Sequence, residues 1–153
     1  MFKISPRAST MLSLVLSAIF FIACIVGAFM LPTICDTLLY LRNLGTDAGA
    51  DRGYVLILGY LILAVFVLID VLLFSILLRV KREQVFSPKT VSLIRAVSFN
   101  CFVLCVLFGA LGIFFKLSLV ISFFAVFLGI CLRVVKNVIE EATVIKTEND
   151  LTV

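Results

Sequence analysis

The sequence predicts an all-α integral membrane protein, a bundle of four transmembrane helices. Three observations predict it. The chain of 153 residues is 63% hydrophobic and only 14% charged, whereas a soluble domain is about half apolar and about a quarter charged. The apolar residues are gathered into four blocks, each at or close to the roughly 20 residues that cross a hydrocarbon layer. Lysine and arginine cluster in alternate connections, which is how topology is set. One domain over residues 1–153 accounts for this pattern.

The segment from Tyr54 to Leu78 organises the rest. It is one apolar run broken by a single acid, Asp70. A basic turn carrying Arg79, Lys81, Arg82 and Lys89 follows it directly. Positive charge resists translocation, so this turn fixes the direction of the span.

Before it, a short basic leader with Lys3 and Arg7 precedes a first span at about 10–31, ended by Pro32. The run is longer than the 7–15 or so residues of a signal-peptide core, so an uncleaved anchor is expected. Phe21 to Cys24 form a rough lipobox, but the chain stays apolar after Cys24, which argues against lipidation. In the connection to the second span, Pro32 can open a helix and Gly45 can close one. Asp36, Tyr40 and Asn43 share one face there, and Ile34, Leu38 and Leu41 another. That pattern predicts an interfacial helix in the first external loop. Gly45 to Gly53 then reads as a flexible loop.

In the second span, at 54–78, Gly59, Leu63, Phe66, Asp70 and Phe74 recur on one helical face. A carboxylate in hydrocarbon costs several kcal/mol, about 3 on insertion scales, so that face should meet protein or water. Ser87 and Pro88 form an N-cap and first helical residue for the third span, at 91–115. There Ser98, Cys101, Cys105, Gly109 and Gly112 make a stripe of small residues, which lets two helices approach closely. The third connection, Lys116 to Ser118, predicts a tight hairpin into the fourth span, at 117–132. An amphipathic cytoplasmic tail, 133–147, continues that span, with Val134, Val138 and Ala142 on one side and Lys136, Asn137, Glu140 and Glu141 on the other. Lys146 to Val153 are polar and read as loose.

The leader, the turn through Arg95 and the tail hold ten Lys and Arg residues, against three in the other two connections. The chain is therefore expected in a bacterial cytoplasmic membrane, multi-pass, with both termini cytoplasmic. The net charge of +4 belongs to this topology. No basic stripe with interleaved aromatics points to direct nucleic acid binding.

Chemistry is sparse. There is no histidine, so the commonest zinc ligand and neutral-pH base are missing. Of five cysteines, Cys101 and Cys105 alone are placed to share a ligand, and a packing stripe explains them more simply. No metal and no cofactor is expected, and no catalytic motif is present. Asp70, Arg95 and Asn100 are the polar intramembrane candidates. Asp70 lies roughly 12 Å from the end of its span and Asn100 roughly 13 Å into the next, at 1.5 Å per residue. A pairing of Asp70 with Asn100 or Arg95 follows from that depth. The site serves either a coupled proton, a cation or a polar ligand, or it is a buried lock between helices. A lone acid without a relay favours the lock. Arg79, Lys81, Arg82, Lys89, Arg133 and Lys136 are candidates for contact with acidic lipid or a protein partner.

The four spans, the turn from Arg79 through Phe86, Ser87 and Pro88 to Arg95, and the ending from Glu148 to Val153 together resemble a bacterial family of small four-span membrane proteins. It is known as domain of unknown function two-nine-seven-five. Members are often encoded beside a helix-turn-helix regulator. The resemblance implies a membrane partner that senses or sequesters a transcription factor, and it carries over no catalytic residue. The expected function is a non-enzymatic membrane sensor or regulator whose turn and tail contact a cytosolic protein. The alternatives are an oligomeric transporter or channel subunit using Asp70, and a structural accessory subunit. Lipid bilayer, a cytosolic protein and further copies of the chain are the expected partners.

Overall fold

A computed structural model describes residues 6–43, 49–82 and 85–151. They form four helices: α1 (Pro6–Asn43), α2 (Gly49–Lys81), α3 (Pro88–Leu111) and α4 (Leu117–Leu151). Each is long and apolar enough to cross a membrane. Lipid offers the backbone no hydrogen-bond partners, so apolar runs of this length satisfy themselves as helices. Their outward faces stay apolar: Phe29, Val106 and Phe123 are among the exposed large side chains.

The helices pack in chain order, α1 on α2, α2 on α3 and α3 on α4. Among the described residues no other pair comes together closely. α3 is the most covered helix, with 39% of its span buried against 11–17% for the others. Ile62, Leu104, Phe108 and Ala125 form the main core across α2, α3 and α4. Edge-to-face contacts from Phe20 to Phe66 and from Phe66 to Phe108 tie α1, α2 and α3 together.

α1 does not end at Pro32. It runs on to Asn43 with Pro32 inside it. Proline removes one helical donor and leaves the carbonyl four residues back unpaired. That carbonyl belongs to Ala28, and the Tyr60 hydroxyl of α2 donates to it across 3.4 Å. A neighbouring helix thus supplies what the proline takes away. Residues 33–43 are helical as a continuation of α1. Cys35 and Leu39 are buried against Val55, while Ile34, Leu38 and Leu41 are exposed. Asp36 forms an ion pair with Arg52 of α2. The expected loop at 45–53 is helical from Gly49 onward, and Gly45 to Ala48 lie outside the described residues.

α3 opens at the expected cap. The Ser87 hydroxyl accepts from the Thr90 amide, and Pro88 follows as the first helical residue. The helix stops at Leu111, short of Phe115, where the hairpin tightens around Gly112. A Cβ on Gly112 would lie 2.4 Å from Leu119 Cδ2, so a larger residue there would have to displace Leu119. α4 continues through the tail to Leu151, so Lys146 to Leu151 are helical and not loose.

Candidate functional site

Two places gather polar side chains. The first lies between α1 and α2. The α2 face predicted from spacing is the face that meets α1. A Cβ on Gly59 would lie 3.1 Å from Leu31, and one on Gly27 3.4 Å from Leu63. One turn after the Phe66 contact with Phe20, Asp70 is buried, and the Ser17 hydroxyl donates to its Oδ1 across 2.7 Å. Ser17 is buried as well. The partner of Asp70 is therefore on α1, and not Asn100 or Arg95 on α3. Asn100 instead donates to the Ala96 carbonyl of its own helix at 2.8 Å. Arg95 reaches Glu140 of α4 at 3.5 Å. A groove of about 420 Å³ opens over the pair, walled by Ala18, Phe21, Ile22, Val71 and Phe74. Its lining is otherwise apolar, apart from Ser75, whose hydroxyl donates to the Val71 carbonyl.

The second place lies between α3 and α4. These helices are held by rungs along the stripe of small residues. Ser98 donates to the Gly129 carbonyl at 2.8 Å. Ser122 donates to the Cys105 carbonyl at 2.8 Å and meets its sulfur at 3.3 Å. A Cβ on Gly129 would lie 3.3 Å from that of Cys101, one on Gly109 3.7 Å from Ser122, and Gly112 admits Leu119. Each such bond in a membrane is worth about 0.6 kcal/mol on average, so close packing supplies much of the cohesion. One turn beyond the Ser98–Gly129 contact a groove opens along one side of the two helices. The groove there holds about 430 Å³ and is lined by Ser92, Arg95, Phe99, Phe102, Arg133 and Lys136, among others. Lys136 and Arg95 converge on one carboxylate, Glu140.

Of the other basic candidates, Arg79 and Lys81 occupy the last turn of α2, where cations complement the helix dipole. Arg82 follows α2, Lys89 sits in the first turn of α3, and both are exposed. Sequence reasoning missed Ser17 and Glu140. Ser17 matches Asp70 in depth, seven residues into the first span against eight from the end of the second, but so does Asn100; Glu140 lies four residues after Lys136, a spacing that pairs charges on one helix.

Four stacked apolar helices with an internal acid define a multi-pass membrane protein. The model of the family described as Protein of unknown function (DUF2975) matches residues 37–153, and the chain belongs to that family. No curated protein and no solved structure matches the chain.

Proposed function

We propose that this protein is a non-enzymatic membrane regulator, anchored in a bacterial cytoplasmic membrane with both termini inside, whose α4 tail engages a cytosolic helix-turn-helix protein. The observation that carries the reading is the length of α4. Its 35 residues extend about 52 Å at 1.5 Å per residue, well past a hydrocarbon layer of about 30 Å. On that extension Thr143 is buried, beside Pro88 and Val91 of α3. Val134, Val138 and Ile145 remain exposed along another side. An apolar helical stripe of this kind suits helix-in-groove recognition. The resemblance to a family whose members are often encoded beside a helix-turn-helix regulator suggests this kind of partner.

Transport is less well supported. Helices stacked in chain order enclose no path, and Asp70 already has a hydrogen-bond partner in Ser17. The test is co-expression with a tagged helix-turn-helix regulator encoded beside the gene. The regulator should sediment with membranes that hold the full chain, and should return to the soluble fraction when Arg133–Val153 are removed. A regulator that stays soluble beside the full chain sinks the reading.

A further inference from the structure

We propose that the groove between α3 and α4 binds the phosphate of an anionic phospholipid, with Arg95, Arg133 and Lys136 as its ligands. Three cations face one groove, and Glu140 is the carboxylate that meets two of them. Among the described residues Arg133 meets no carboxylate. The groove thus carries surplus positive charge, which an anion would balance. Arginine suits the task, because its planar fork matches two phosphate oxygens at once.

Depth names the kind of anion. About 20 residues cross the hydrocarbon. Counted back from Leu111 at the far end of α3, they reach Ser92; counted forward from Leu117, they reach Lys136. Arg95, Arg133 and Lys136 therefore stand within about one turn of the boundary, where lipid phosphates lie. Below them the groove is walled by Phe99 and Phe102, and Phe99 is 67% exposed. A lipid seated by its phosphate would lay an acyl chain along these rings. A free phosphate would use the cations and leave the rings bare. Basic pockets between membrane helices hold lipid headgroups on this principle.

The full chain in an uncharged detergent, titrated with phosphatidylglycerol or phosphatidylcholine and read by native mass spectrometry, tests this. Phosphatidylglycerol should be retained in preference. Arg95→Gln with Arg133→Gln should weaken that preference roughly 30-fold, about fivefold for each cation lost at a membrane surface. Arg95→Lys with Arg133→Lys should keep most of it, which separates lost charge from lost folding. Lys116→Gln, in the turn at the opposite end of α3 and α4, should leave it unchanged. Equal retention of both lipids, or a preference that survives the double glutamine variant, overturns the proposal. So does loss of the preference in the Lys116 variant. Displacement of the lipid by millimolar glycerol phosphate would reassign the groove to a soluble anion and overturn the lipid assignment.

Discussion

The Ser17 hydroxyl donates to Asp70 across 2.7 Å, joining the first helix to the second at a buried position. Among the described residues no buried side-chain nitrogen or oxygen lacks a partner. Removing only the donor leaves a buried acid without it, at a cost of about 1–3 kcal/mol. Ser17→Ala is therefore expected to lower stability by that amount in a detergent unfolding titration. Asp70→Asn should cost less, since the amide oxygen still accepts. Ser17→Ala combined with Asp70→Leu should recover much of the loss, because both polar groups are then gone. A double variant that loses more than the sum of the two singles would refute the lock.

How much of this was legible in the sequence depends on how local the signal was. Spans, caps and the stripe from Ser98 to Gly112 follow from residue type and spacing within one helix. The face of α2 that bears Asp70 follows too, since Gly59, Leu63 and Phe66 mark it. The partner helix for that face does not follow, because the first and third spans both present a polar group at a similar depth. Asn100 offered itself on α3, yet its side chain bonds back to Ala96. Pro32 misled for a related reason. Its effect on α1 is decided by Tyr60, 28 positions away in the chain and invisible to a local reading.

Gly112 is where the α3–α4 hairpin is least forgiving. Leu119 stands 2.4 Å from where a Cβ would lie, and the Gly109 carbonyl oxygen stands 3.0 Å away. Gly112→Ala is expected to destabilise by about 1–3 kcal/mol, the usual range for overpacking. The leucine tip is flexible and the carbonyl is not. Leu119→Ala in the same chain should therefore relieve part of the loss. Thermal unfolding in detergent of the two singles and the double measures the coupling, and strict additivity would count against the contact.

The Tyr60 hydroxyl and the Ala28 carbonyl form a testable cycle with Pro32. Tyr60→Phe should cost about 0.6 kcal/mol, the average for an interhelical hydrogen bond in a membrane. Pro32→Ala restores the helical donor to Ala28, so the hydroxyl becomes redundant. In that background the cost of Tyr60→Phe is expected to shrink towards zero. An unchanged cost would mean that the hydroxyl acts elsewhere.

Charge placement predicts which ends share a side. Arg79 and Lys81 close α2, and Lys89 lies in the first turn of α3, whereas Lys116 stands alone in the opposite turn. The five native cysteines would confuse labelling, so each is first replaced by alanine or serine. A single cysteine at Lys89 should then react with an impermeant maleimide only after the membrane is opened, and one at Lys116 in intact cells. The same rule places Glu148 with Lys89, since α4 leaves the membrane on that side. A cysteine at Glu148 that labels in intact cells would reverse the orientation of α3 and α4 together. It would also remove the tail from any cytosolic partner, while leaving the Arg95, Arg133 and Lys136 groove at the same depth in the other leaflet.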